Sequence, residues 1–430
     1  MSQFRRDDLP LLAVIVHDYL RDQGIQTLMQ YARVAYIGPP DSRLGRLADV
    51  FIPVKSLDAI DAEESLRALL DREEQERGLR FDALLAIRDC NVLPAATIAH
   101  ERGWAGPDPK ALLPVARKSE LRRWMDATMP EHLFTEVPHV RFERGMSEAS
   151  FRSQLGDFAQ DGPAIFKPDR GSCSFGVTPI EDSTDIDEAW ASFRACDGYR
   201  GGDFVAERRI QGTEISVECA IGEVILAIQA TGYLPKFTGS FAEAGHFVPS
   251  DLDAEQLESA ITLVRAIHEG LGLNSMITHS ELIVRDDGPP ALVELNPRIG
   301  GDMIPELHKC SSGLDLYAIA AHIAIGRTVD PEFLTRPGPI GTALIRFVDA
   351  TKGMVTVKPG AMSPLVGADD RVGLLFPVGA RLTEPGTNDE RPAFAFVVDR
   401  DGESVDSLAD RAGEMLRHVR VVDADSMATC

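Results

Sequence analysis

The chain has 430 residues, too many for one ordinary core, and two to four domains are expected. Its 44% hydrophobic and 26% charged residues are those of a soluble globular protein, and 44 Lys and Arg against 67 Asp and Glu leave a net charge of −23. That balance argues against a protein that tracks a nucleic-acid backbone or an anionic membrane, so any phosphate must be held locally.

Met1–Asp8 precedes a short apolar run, Leu9–Val16, that is broken by His17 and Asp18, and this reads as neither a signal peptide nor a membrane span. Short apolar strands then alternate with helical stretches: Leu11–Val16, Arg33–Gly38, Val50–Val54 and Ala83–Ile87, with a charged helix-like segment from Asp61 to Arg77. This alternation predicts an open α/β layer of roughly a hundred residues. It lacks a G-x-G-x-x-G fingerprint, so no dinucleotide is assigned to it. The cysteines (Cys90, Cys173, Cys196, Cys219, Cys310, Cys430) are scattered without zinc spacing, which predicts reduced thiols in a cytoplasmic protein.

A second unit begins near Lys118, where Arg117–Met125 has the pattern of a helix. Pro163–Pro168 reads as a strand leading into the loop Asp169–Gly176 and returning as Val177–Ile180. Such a hairpin exposes backbone N–H groups at its tip. It is not a Walker A loop, because no Gly-Lys-Ser/Thr ends it and no helix follows. Lys167 instead precedes it, as a point charge for a phosphate over which Gly171–Gly176 would close; a plain turn is the alternative. Only eight of the 44 basic residues are lysines, so each lysine is more informative than usual.

Further strands are expected at Phe204–Glu207, Ile215–Ala220 and Val224–Ile228, and an amphipathic helix at Asp253–Leu271 ending at Gly272. Beyond about Arg336 the chain is Gly/Pro-punctuated and strand-rich, with a last helix near Ser407–Leu416.

The segment Thr278–Gly301 reads as a hairpin. With the turn at Asp286–Pro289, Glu281 falls opposite Glu294 and His279 opposite Asn296, because paired antiparallel residues project to one face. Facing like charges destabilise a sheet, and a divalent cation reverses that sign. Glu281, Glu294 and Asn296 offer only oxygen, the donor set of Mg²⁺ shared with substrate phosphates. Arg298 follows, a fixed cation for a transferring phosphoryl group or an oxyanion. The alternative is a surface hairpin whose polar edge carries two acids.

Taken in order, Lys118, Lys167-Pro168 with its Gly/Ser loop, Glu207–Glu214, Glu281, and Glu294–Arg298 resemble the ATP-grasp family over about Lys118 to Gly301. The resemblance implies a multidomain α/β and α+β protein with the ATP-grasp fold. An N-terminal open α/β domain (1–117) precedes the grasp, followed by a small lid domain (118–206), a large domain with the Mg/ATP site (207–336) and a strand-rich C-terminal subdomain (337–430). It implies that Lys118 and Lys167 hold ATP phosphates under the flap of Gly171, Ser172, Ser174 and Gly176. Glu207 with Arg209 and Ile210 would be the hinge that reads adenine, and Glu214 the acid near the ribose. Glu281, Glu294 and Asn296 would be magnesium ligands, with Mn²⁺ the alternative ion, and Arg298 the catalytic arginine.

Within the family, His279-Ser-Glu281, Asn296–Gly301 and Gly245–Ser250 look most like amino-acid ligases that make dipeptides. His246, His279, Gly300 and Gly301 would then line the amino-acid pocket. Cys173 departs from the usual flap composition. The implied function is an ATP-dependent carboxylate–amine ligase working through an acyl-phosphate, with an amino acid and an amine as small-molecule partners. Neither a nucleic acid nor a membrane is expected as a partner, and the oligomeric state stays open, a homodimer included. Two alternatives remain: a purine-biosynthesis or carboxylase type of ATP-grasp enzyme, and an ATP-binding partner protein without turnover.

Overall fold

A computed structural model describes residues 6–17, 21–171, 174–182, 185–195, 202–222, 225–237, 241–329, 341–349, 353–357, 370–382, 387–399 and 401–422. The N-terminal layer contains β1 (Leu11–Ile15), α1 (Asp22–Leu28), β2 (Arg33–Gly38), β3 (Val50–Pro53), α2 (Glu63–Arg77), β4 (Ala83–Ala86), α3 (Asp89–Arg102) and the short α4 (Pro109–Leu112). Its four strands are parallel, in the order β3-β2-β1-β4. Every residue of β1 is buried, as a parallel strand covered on both faces requires. In α2, Leu66, Leu69, Leu70 and Glu73 turn inward at helical spacing, and Gly78 ends the helix in the left-handed region at φ 65°. The carboxyl ends of β1 and β4 deliver His17, Arg21, Arg88 and Asp89 to the main cavity, the usual ligand side of an open parallel sheet.

The next unit comprises α5 (Lys118–Thr128), β5 (His139–Phe142), α6 (Glu148–Ala159), β6 (Ala164–Pro168), β7 (Thr178–Ile180), α7 (Ile186–Ala195) and β8 (Phe204–Arg208). Its antiparallel sheet runs β5-β8-β6-β7, and β6 and β7 form the expected hairpin, Ala164 facing Ile180. The core is aromatic: Phe166 stacks on Phe204 at 4.7 Å and meets Phe151 edge-on at 5.4 Å.

The remainder is built on one eight-stranded sheet. It contains β9 (Thr213–Ile221), β10 (Ile225–Tyr233), β11 (Gly245–Val248), α8 (Ala254–Leu271), β12 (Met276–Val284), β13 (Ala291–Asn296), α9 (Ile304–Ser312), α10 (Leu316–Ala324) and β14 (Thr342–Phe347). These are followed by β15 (Gly353–Val357), β16 (Arg371–Leu374), β17 (Arg381–Leu382), β18 (Ala393–Asp399), α11 (Val405–Leu416) and β19 (Val419–Val422). The sheet order is β13-β12-β9-β10-β11-β14-β18-β16, so the strand-rich C-terminal region continues the same sheet through the β11–β14 pairing. Only β17-β15-β19 stand apart among the described strands of that region.

Helix α8 starts at a reciprocal cap between Asp253 and Gln256 and stops at Gly272, φ 69°. It buries Ala260, Leu263, Val264 and Ile267 in an apolar cluster shared by β9, β12 and the N-terminal layer. Each fully buried leucine there stabilises by about 1.5–3 kcal/mol. One continuous core therefore fixes the N-terminal layer against the hairpin of β12 and β13. No helix among the described residues is long and apolar enough to cross a membrane.

Candidate active site

The register of β12 and β13 pairs His279 with Asn296 and Glu281 with Glu294, as the pairing rule requires. It then shifts by one, so that Leu282 faces Leu292 and Val293 bulges. The bulge carbonyl is not orphaned, because Arg122 Nη2 donates to Val293 O at 3.0 Å.

The two facing acids titrate in opposite directions. Burial pushes Glu294 up, and the charges of Glu281 and Asp89 add to that push. For Glu281 burial works the same way, but His279 and Lys236 outweigh it and hold the carboxyl below its usual range. A carboxylate pair split in this way has room for a cation that would ionise both. Oxygen-only donors with opposed charges fit Mg²⁺.

His279 is enclosed between Glu218 and Glu281, with Nδ1 2.6 Å from Glu218 Oε1 and Nε2 3.2 Å from Glu281 Oε1. Burial alone would lower its pKa, yet the two carboxylates raise it to about 10. The charged ring donates to both acids and orients Glu281. Gly300 lies over this pair, where a Cβ would come 3.1 Å from His279 Nδ1, and its carbonyl accepts from Arg21 Nη1 at 2.8 Å. Gly300 therefore supports the hairpin from behind, while Gly301 lines the cavity.

Two lysines enter from the opposite side. Lys118, first residue of α5, reaches Glu294 Oε1 at 2.9 Å and donates to Gly171 O at 3.1 Å. Lys167 reaches Glu207 Oε2 at 2.7 Å, and burial together with the charges of Lys118 and Arg122 lowers its pKa. Mutually repelling cations in a cleft are the expected signature of an anion site.

Glu207, given an adenine role by the sequence reading, has its carboxylate taken by Arg122 at 3.0 Å as well as by Lys167. These partners hold its pKa far below the usual range against the burial that would raise it. Residues 208–212 line the cavity beside it, and Arg209 pairs with Glu181. Ile210 also lines the cavity, and Glu214 pairs with Lys236 at 2.9 Å.

In the flap, Ser174 Oγ donates to Phe241 O at 3.1 Å, and Gly176 supplies a left-handed turn at φ 69° between Phe175 and Val177, which line the cavity. Ser172 and Cys173 lie outside the described residues.

The far end of the cavity gathers residues the sequence reading mostly missed. Donor atoms of Glu243, His246 and Asp302 lie within 4.8 Å of one another. Asn388 Nδ2 donates to Glu243, Arg391 Nη2 donates to Asp302 Oδ1 at 2.5 Å, and His246 Nε2 lies 3.2 Å from Asp302 Oδ2. Among the described residues, buried His246 Nδ1 has no partner. Glu243 stands three residues before His246 and Asp302 directly follows Gly300-Gly301, the only local signals for this cluster.

Arg298 is gripped by Asp89, Nε to Oδ1 at 2.7 Å and Nη2 to Oδ2 at 2.9 Å. Both line the main cavity of about 750 Å³, together with Lys118, Lys167, Glu281 and Glu294. Asn296 lines the neighbouring cavity, which shares Glu294.

Residues 160–306 match the family model of the ATP-grasp domain. The chain carries an ATP-grasp domain. It is similar to a D-alanine–D-alanine ligase of Anaeromyxobacter sp. (strain K), 26% identical over 200 residues that are 45% of this chain and 63% of that protein. It is also similar to carnosine synthase 1 of Gallus gallus, 25% identical over 398 residues, 90% of this chain and 41% of that one. The matched stretches thus span less than two thirds of either relative. The fold matches the crystal structure of an L-amino acid ligase from Bacillus licheniformis with a TM-score of 0.75 at 18% identity, covering 96% of this chain and 98% of that one. The fold of that ligase is therefore shared over nearly the whole chain.

Proposed function

We propose that this protein is an ATP-dependent carboxylate–amine ligase that forms an amide through an acyl-phosphate, with an α-amino acid as the carboxylate substrate. The observation that carries the reading is one cavity in which Glu281 and Glu294 face each other, opposite Lys118 and Lys167 and next to Arg298. The relatives named D-alanine–D-alanine ligase and carnosine synthase, and the neighbour named L-amino acid ligase, support it.

Lys118 and Lys167 hold the phosphates of ATP, and the loop Gly171–Gly176 closes over them. The backbone of Arg208–Gly212 receives the base, while Glu207 keeps Lys167 and Arg122 in place. Glu281, Glu294 and Asn296 are the residues that would hold Mg²⁺, which when bound neutralises phosphate charge. The γ-phosphoryl group passes to a carboxylate oxygen, leaving ADP. The amine nitrogen then attacks the acyl carbon, the C–N bond forms, the C–O bond to phosphate breaks, and nitrogen loses its proton. Arg298 sits where negative charge develops on the carbonyl oxygen. The acids Glu243 and Asp302 with His246 receive the substrate ammonium.

In this reading residues 1–117 precede the grasp, 118–206 form the lid, 207–336 the large domain and 337–430 complete it. A cytoplasmic location fits Cys90, Cys219 and Cys310, which form no disulfide among the described residues. The test is product analysis with pairs of amino acids and amines, and with hydroxylamine to trap the acyl-phosphate. ADP and phosphate in equal amounts, formed only with a carboxylate present, are expected. AMP and pyrophosphate would overturn the mechanism.

A further inference from the structure

A second cavity of about 550 Å³ lies along β13, the edge strand of the large sheet. It shares Asp89, Lys118, Gly171 and Glu294 with the first, so the two volumes meet at the phosphate end of the nucleotide site. Either volume falls within the roughly 300–1,000 Å³ that encloses a whole small ligand. ATP and the carboxylate substrate have their recognition groups in the first. Apart from Asn296 and the shared Lys118, Gly171 and Glu294, the second has none of them, and it is still too large to be packing space.

Its walls are largely apolar, with Val92, Leu93, Leu112, Val115, Leu121 and Leu295 from five different elements. Its charged groups are mostly matched: Asp61 is held by Arg88, Asp89 by Arg298 and Arg122 by Glu207, while Asp169 accepts from Ser119 Oγ at 2.9 Å. Arg170 is the exception. Its guanidinium makes no hydrogen bond or ion pair among the described residues, and partial burial with the charge of Arg117 lowers its pKa. An apolar chamber with one guanidinium that makes no direct pair among the described residues, and with Asp89 and Glu294, paired to Arg298 and Lys118, offering further acceptor capacity at its inner end, is complementary to a zwitterion with an apolar body. Such a chamber also keeps water from an acyl-phosphate, which hydrolysis would waste.

We propose that this second cavity is the acceptor subsite and takes an α-amino acid with an apolar side chain, its carboxylate on Arg170 and its amine toward Asp89 and Glu294. The assignment rests on the ligase reading above and adds the class of the second substrate and the route by which its nitrogen reaches the acyl carbon.

The experiment uses the full chain with Arg170→Ala and, separately, Val115→Trp. Acceptors are L-phenylalanine, L-leucine and L-methionine, each beside its amide, and hydroxylamine, which is too small to need the cavity. Arg170→Ala is expected to raise the KM of the free amino acids by about tenfold or more, one lost charge-assisted contact, and to leave the amides unchanged. Val115→Trp is expected to raise KM for acids and amides alike. Hydroxamate formation serves as the control for acyl-phosphate synthesis in both. Hydroxamate together with unaltered amino-acid KM values, or with no turnover of any amino acid in the wild type, would overturn the subsite. Absence of both hydroxamate and ADP with every carboxylate would instead overturn the ligase reading beneath it.

Discussion

Arg298 and Asp89, 209 residues apart in sequence, meet through two parallel hydrogen bonds of 2.7 and 2.9 Å. One stands in the loop after β13 and the other opens α3 at the carboxyl end of the N-terminal sheet. A bidentate pair fixes the plane of a guanidinium as well as its place, so the N-terminal layer aims the arginine that the large domain supplies.

Removal of that arginine therefore acts on the transition state more than on bound nucleotide. Arg298→Ala is expected to lower kcat by about 2.7–4 kcal/mol in barrier terms, with little change in the KM for ATP. Asp89→Asn keeps the shape and one acceptor oxygen, and is expected to lower kcat less. Steady-state kinetics decides: a rise in KM alone would assign Arg298 to ground-state nucleotide binding.

The facing acids make a metal-dependent stability. Mg²⁺ binds only the folded hairpin, so it is expected to raise the thermal midpoint of the wild type. Glu294→Gln removes one donor charge and is expected to abolish both that shift and turnover. Lys118 loses its ion-pair partner in this variant, but burial with the charges of Glu281 and Asp89 disfavours the ionised carboxyl, so the apo midpoint is expected to hold or rise. A full Mg²⁺-induced shift in Glu294→Gln would remove Glu294 from the metal site.

Lys167 offers a separate test of the phosphate clamp. In Lys167→Met the buried Glu207 keeps its contacts to Arg122 at 3.0 and 3.2 Å, so folding is expected to survive. ATP affinity by calorimetry is expected to fall about 10- to 100-fold, the range of a lost charge-assisted contact of about 1.5–3 kcal/mol. Unchanged affinity would show the β6–β7 loop to be a plain turn.

Much of this site could be read before the fold was known, for reasons that differ by residue. The pairing of Glu281 with Glu294 follows from a turn position and the two-residue period of a strand, both local. The bulge at Val293 does not, because the Arg122 side chain that donates to its carbonyl comes from 171 residues upstream. Glu207 was given a role at the base because its neighbours in sequence are the hinge. Its contact with Arg122, one turn beyond Lys118 on α5, comes from a distant segment and has no local mark. The cluster at the far end draws Asn388 and Glu243 together across 145 residues, a closure with no mark in either segment. The C-terminal strands were legible as strands, but their joining of the large sheet through β11 depends on a partner choice that alternation does not encode.

Glu306 provides a prediction outside the reacting groups. It lies in the first turn of α9, is 4% exposed, and its Oε2 has no hydrogen-bond partner among the described residues. Burial raises its pKa from 4.5 to about 7 although Arg21 opposes the shift. A folded pKa above the unfolded one means that the folded state binds the proton more tightly. The contribution is fully present below about pH 4.5 and is lost as pH rises through about 7. At about 1.4 kcal/mol per pKa unit, the loss across that window is on the order of a few kcal/mol. Glu306→Gln keeps the shape and abolishes the titration. It is expected to raise the unfolding free energy above pH 7 and to flatten the decline between pH 4.5 and 7, with little change at the acid end. Denaturant melts of both proteins across that range test it. Parallel stability–pH curves for the two would show that Glu306 titrates normally.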